Sequence, residues 1–139
     1  SQAGETENGG LRSYGSMTYA GLKSMIFAGV EPEDPRVKAA VQWIRMHYGL
    51  DTNPGLGAQG LYYYYHTFAK ALEATGQQVF EDDQGIQHNW RAELVDALAA
   101  RQHSDGSWVN PHNRWLEGDV NLVTGYALLS LSYCRSTTP

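Results

Sequence analysis

The sequence predicts an all-α protein, an array of alternating inner and outer helices with a short β-hairpin inserted. Three observations carry this. Five segments place apolar residues at spacings of three and four between recognisable caps and stops. Three of those segments match one another as repeats. The same three are more apolar than the two lying between them, which is the pattern of buried helices alternating with water-facing ones.

Residues 1–13 (SQAGETENGGLRS) are polar and Gly-rich without periodicity and read as a disordered tail. The folded domain is expected over 14–135, with 136–139 as a second tail. The first helix is expected from Met17 to Ala28, with Ser16 as N-cap and Gly29 as stop. The second opens with Asp34-Pro35, a cap followed by proline at the first helical position. Its Val37, Val41, Ile44 and Tyr48 share one face, and Gly49 ends it. The third spans Leu61 to Ala74 and stops at Gly76. The fourth runs from Trp90 to Gln102 behind the cap Asn89, with Leu94, Ala97, Leu98 and Arg101 on one stripe. The fifth follows Asp119 as cap and carries Leu122, Tyr126, Leu129 and Tyr133.

The connections differ in kind. Gly29 to Glu33 is a tight turn, and Asp51 to Gly60 holds too many turn formers to be anything but a loop. Val79 to His88 alternates apolar and polar residues around Asp83-Gln84-Gly85, which predicts a short β-hairpin. His103 to Gly118 is a second long loop, anchored by Trp108 and Trp115.

The repeat appears when MTYAGLKSM, YYHTFAKAL and VTGYALLSL are set together, with Met17, Tyr64 and Val123 as their first residues. Such spacing is that of helical-hairpin arrays once loop insertions are allowed. An ordinary orthogonal helical bundle is the alternative.

Composition narrows the function. With 139 residues, 42% apolar, the chain is rich enough to bury a core and too rich for disorder. A formal charge of −5 and the absence of any basic run exclude a nucleic-acid surface. The single cysteine, Cys134, rules out an internal disulfide framework and a multi-cysteine zinc site, and its apolar helical setting is that of a buried, inert thiol. No apolar run approaches a membrane span and no signal peptide is visible, so the stretch is expected to be soluble. The chain opens Ser-Gln-Ala-Gly without Met, which reads as a processed or cut end, and no compartment is assigned.

Arg101-Gln102-His103-Ser104-Asp105-Gly106-Ser107-Trp108 resembles the Gln-to-Trp motif of the squalene-hopene cyclase and protein prenyltransferase β-subunit superfamily. The stretch from Asp119 through Val123-Thr124-Gly125-Tyr126-Ala127-Leu128-Leu129 is similar to the opening of that family's next inner helix. The resemblance covers residues 14–135 and implies a partial α/α toroid, with Gln102, Asp105, Gly106 and Trp108 as structural residues. In the motif a glutamine stacks on the tryptophan, where its amide can also satisfy carbonyls freed at a helix end. Such rings close with more hairpins than this chain supplies. Missing hairpins of the same chain, or a second copy, are therefore expected to cover its edge from Met17 to Phe27.

The family's chemistries are only partly matched. Aligning the threonine of the class II cyclase acid motif on Thr124 places the acids at Val120, Leu122 and Val123; aligning it on Thr18 places them at Tyr14, Ser16 and Met17. None is a carboxylate, so no acid for protonating an alkene lies in this stretch. Glu81-Asp82-Asp83 is acid-rich but reads as a solvated turn. His103, Asp105 and His112 repeat no metal-ligand spacing, so no metal and no cofactor is expected.

The aromatic run remains. On a helix Tyr62, Tyr65 and His66 share a face, whereas Tyr63 and Tyr64 point elsewhere. That face either binds an isoprenoid or another extended apolar ligand, as the resemblance implies, or fills the core with its hydroxyls bonded to loop backbone. Trp115 belongs with the ligand-binding candidates. Glu117 and Asp119 are weak candidates for catalytic acids at the head of the fifth helix, Asp119 reading more naturally as an N-cap. If the chain belongs to an enzyme, the resemblance implies a terpene cyclase or prenyltransferase. The alternatives are a non-catalytic scaffold binding protein or polysaccharide, and a glycan-active enzyme, for which Glu117 and Asp119 lie too close in sequence to flank a sugar.

Overall fold

A computed structural model describes residues 1–135; the expected tail 136–139 lies outside the described residues. The chain forms helices α1 (Gly15–Phe27), α2 (Pro35–Met46), α3 (Leu61–Ala74), α4 (Trp90–Ala99) and α5 (Val120–Ser132). Between α3 and α4 lies an antiparallel hairpin of β1 (Phe80–Glu81) and β2 (Gln87–His88), pairing Phe80 with His88 and Glu81 with Gln87. A single 3₁₀ turn, Arg114–Leu116, leads into α5. The all-α class with one small hairpin thus holds.

The core sits around α3, which buries Leu61, Tyr62, Tyr64, Tyr65, Phe68 and Leu72 among others. Its run of aromatics is apolar almost all round, as a helix enclosed by neighbours must be. α1 packs against it through Tyr19, whose ring lies 5.7 Å from Tyr64 and 5.2 Å from Phe68. α5 packs against it through Tyr126, 5.7 Å from Tyr63, and Tyr133, 6.1 Å from His66. Asn53 bonds the first turn of α1 and the Gln59 carbonyl just ahead of α3, and Glu117 joins the first turn of α3 to the entry of α5. α1 and α5 each pack along α3, so the three set out from one edge in the same sense. Their starts at Gly15, Leu61 and Val120 fall within one residue of the spacing that the matched repeats predict. α2 returns along α1 after a short turn, and α4 touches both α3 and α5.

Three caps are local and as expected. Asp34 accepts the Arg36 backbone N–H at 2.9 Å, and hydrogen bonds from Arg36 hold its carboxyl down to about 2. Asn89 accepts the Ala92 N–H at 3.2 Å, and Asp119 accepts those of Asn121 and Leu122 at 2.8 and 3.3 Å.

The start of α1 requires a correction. The helix begins at Gly15, with Tyr14 in the cap position and no side-chain cap of its own, so Ser16 is not the N-cap. Ser16 is buried in the first turn, and its N–H is accepted by Asn53 Oδ1 at 3.1 Å. Asn53 Nδ2 in turn donates to Ser16 Oγ at 2.7 Å and to the Gln59 carbonyl at 3.0 Å. Glycine is needed at position 15, since a Cβ there would come within 2.7 Å of Pro54 Cδ and 2.8 Å of the Tyr64 ring. Two ends also fall short: α2 stops at Met46 before Gly49, and α4 at Ala99 before Gln102.

Residues 1–13, expected to be loose, contain no helix; they hold one isolated bridge, Glu5 with Leu11, and a bond from Ser1 Oγ to the Arg12 carbonyl. Among the described residues no helix is long and apolar enough to cross a membrane.

Candidate functional site: an aromatic pocket where three helices begin

A cavity of about 340 Å³ opens at the common starting edge of α1, α3 and α5. Tyr14, Ser16 and Met17 line it from α1, Gly60 and Tyr63 from α3, and Trp115, Glu117 and Tyr126 from α5 and the turn before it. Gln2 closes one side. Its volume falls within the usual range for small-molecule sites, and its walls are mostly apolar, with four aromatic rings among them.

Glu117 is fully buried, and its carboxylate accepts three hydrogen bonds. The Tyr63 N–H donates to Oε1 at 2.8 Å, and the Tyr62 N–H and Asn110 Nδ2 donate to Oε2 at 3.2 and 2.8 Å. The first N–H groups of a helix have no partner within it, and the helix dipole favours a negative charge there. Glu117 therefore caps α3 from a distant part of the chain. This binding of its lone pairs does not suit a proton-transfer role, and Asp119 is committed to capping α5.

Trp115 reaches the pocket through strained backbone. It has φ 57° and Leu116 has φ 65°, both left-handed, and each such non-glycine residue costs about 1–3 kcal/mol. The surroundings hold the turn. Asn113 accepts the Leu116 N–H through its carbonyl at 3.2 Å and the Gly118 N–H through Oδ1 at 2.9 Å. The indole lies over Gly60, where a Cβ would stand 3.0 Å from Cζ3. The Arg114 guanidinium lies 4.2 Å from the indole centroid and donates to Gln59 Oε1 at 2.6 Å and to Gln2.

The expected ligand-binding face divides. Trp115 lines the pocket, but Tyr62 and Tyr65 turn into the core, edge to face at 5.7 Å. The Tyr65 hydroxyl donates to the Leu50 carbonyl at 2.5 Å and that of Tyr64 to the Gly49 carbonyl at 2.7 Å, and burial pushes both phenols up. His66 departs from that face. It packs near Tyr63, Tyr126 and Tyr133, and its pKa is lowered by burial and then by Lys70 and Lys23. Tyr63, set aside in the sequence, is the tyrosine of the run that reaches the pocket. The signal was present: 63, 66 and 70 recur at helical spacing and are the less buried stripe of α3.

The loop after α4 is a structural joint. Trp108 is buried against the end of α4, its Nε1 donating to the Leu98 carbonyl at 2.8 Å. The Gln102 amide instead donates to the Gly106 carbonyl at 2.9 Å, so the indole N–H, not the glutamine, meets the helix carbonyl. Asp105 accepts the Ser107 hydroxyl and N–H at 2.6 and 3.0 Å, with Gly106 at φ 86° completing the turn. Trp108 N–H donates to Thr124 Oγ1 at 3.1 Å, tying the loop to α5.

A polar cluster lies apart from the pocket. His88 bridges Asp82, at 3.1 Å from Nε2, and Glu93, at 3.0 Å from Nδ1, while the Tyr48 hydroxyl donates to Glu93 at 2.7 Å. Asp82 also accepts the N–H groups of Gln84 and Ile86, so it organises the hairpin turn. Cys134 is half-buried, and burial pushes its thiol to about 11. Among the described residues no group of three or more His, Cys, Asp or Glu could hold a metal ion.

Fold and site together define a helical protein with a small antiparallel hairpin and a pocket where three of its helices begin. No protein-family model, no curated protein and no solved structure matches the chain.

Proposed function

We propose that the chain is a ligand-binding part of an α/α toroid of the squalene-cyclase and prenyltransferase-repeat kind. It holds an isoprenoid or another extended apolar ligand at the edge where its inner helices begin. The observation that carries this is the pocket of Tyr14, Met17, Tyr63, Trp115 and Tyr126 at the shared start of three parallel helices. Supporting the toroid are the repeat spacing and the position of α2 and α4 outside that trio. Apolar side chains on both flanks, Phe27 at 64% exposure on α1 and Leu128 at 57% on α5, suit the docking of further hairpins or a second copy.

The test is titration of a fluorescent prenyl alcohol against the full chain, with Tyr63→Ala and Trp115→Ala as variants. Binding lost in both, with far-UV circular dichroism unchanged, supports the reading. Binding to neither parent nor variants, together with capture of a polysaccharide, would favour the scaffold alternative.

A further inference from the structure

Resting on the pocket reading above, we propose that the ligand presents an alkylated ammonium group, lodged among Tyr14, Tyr63, Trp115 and Tyr126 with Glu117 as its counter-charge. Glu117 is 1% exposed, and no Lys, Arg or His among the described residues forms an ion pair with it. Its three donors are neutral amides, so they disperse the negative charge without cancelling it. The N-terminus of α3 offsets about half a charge. A net negative potential therefore stands behind the aromatic wall, and no cation among the described residues is paired with it.

The rings complete the argument. Aromatic faces attract cations through their quadrupole, most strongly in a desolvated site, and quaternary ammonium ligands are held this way. Tyr63 and Tyr126 meet at an interplanar angle of 65°, so their faces look in different directions, as the walls of a cage do. A primary ammonium is a compact, strongly hydrated charge and gives the rings no methyl groups to pack against. An alkylated one has methyl groups that fit apolar walls and loses less on leaving water. The cavity of about 340 Å³ exceeds a trimethylammonium head and leaves room for the chain that carries it.

Nearby positive charges set the limits. Arg114 stacks on Trp115 but is exposed, and it is tethered to Gln59 and Gln2. Lys70 lies two helical turns beyond Tyr63, about 10 Å along α3 and so roughly one Debye length away at physiological salt.

The experiment is calorimetric titration of the full chain with choline and with its neutral isostere 3,3-dimethylbutanol. Choline should bind at least tenfold more tightly, with its affinity falling as salt rises. Tyr126→Phe keeps the ring and should retain choline binding, whereas Tyr126→Leu should lose at least tenfold. Arg114→Gln removes the rim charge and should strengthen binding severalfold. Equal affinity for the two ligands would overturn the cation proposal while leaving an apolar pocket. Binding of neither, with the prenyl alcohol also unbound, would remove both readings.

Discussion

Replacing Glu117 separates a helix cap from an acid. In Glu117→Ala the N–H groups of Tyr62 and Tyr63 and the Asn110 amide lose their acceptor in a buried setting. Each buried donor left unpaired costs about 1–3 kcal/mol. The lost charge at the start of α3 adds about 0.3–1 kcal/mol. Water entering from the adjoining pocket re-satisfies part of this, which brings the expected loss to about 3–4 kcal/mol. Glu117→Gln keeps one acceptor oxygen but turns an amide NH₂ toward a donor, and about 2 kcal/mol is expected. Urea denaturation followed at 222 nm measures both. Against a typical total of 5–15 kcal/mol, these are losses that shift the midpoint visibly. If Glu117→Ala stays within about 1 kcal/mol of the parent, the capping account fails and the carboxylate is free for another role.

Three further predictions concern the rest of the fold. Trp108→Ala should cost about 3–5 kcal/mol in urea denaturation, and Trp108→Phe about 1–2, since the second loses mainly the bond to the Leu98 carbonyl; a Trp108→Phe variant as stable as the parent would mean that the indole N–H contributes nothing. Leu116→Gly relieves a left-handed residue that is 69% exposed and should raise stability by about 0.5–1 kcal/mol, read as a higher melting temperature; a drop would show that the side chain packs on something essential. In the hairpin cluster, burial opposes the charged form of His88, and bonds to Asp82 and Glu93 outweigh it, so its pKa rises above the ordinary 6.5. Asp82 is held below the ordinary 3.8, chiefly by its bond to His88. The His88 contribution is complete below about pH 6.5 and lost as pH rises through the folded value; that of Asp82 is complete above about 3.8 and lost as pH falls through its own. The cluster therefore stabilises most between about pH 4 and 6.5, and His88→Gln should lower the melting temperature within that interval and flatten its fall as pH rises above about 6.5.

Much of the fold was legible because its signals are local. α3 falls on Leu61–Ala74 as read, bounded by Gly60 and Gly76, and Asp34, Asn89 and Asp119 cap the helices that follow them. Ser16 misled because a serine before an apolar run is the usual cap, whereas the acceptor that serves α1 is Asn53, 37 residues away. The site was less legible still. Spacing shows that Tyr62 and Tyr65 share a face, but not whether that face meets the core or a cavity. The turn at Trp115 carries no glycine to mark its positive φ, so the presentation of the indole depends on Asn113, Gly60 and Arg114 together.

The capping of α1 by Asn53 and of α3 by Glu117 bears on how such a chain can be cut and rejoined. Each of these residues stands in the loop that leads into the next helix of the parallel trio. A block excised between α4 and α5 would carry α3 away from the carboxylate that starts it. A block excised between α2 and α3 would do the same to α1. The interchangeable unit is thus offset from the visible hairpin: it must run past the end of one helical pair and include the entry to the next. Grafts with junctions immediately before α3 and α5, beyond Asn53 and Glu117, keep both caps with the helices they serve. Grafts that respect the apparent repeat boundary would not.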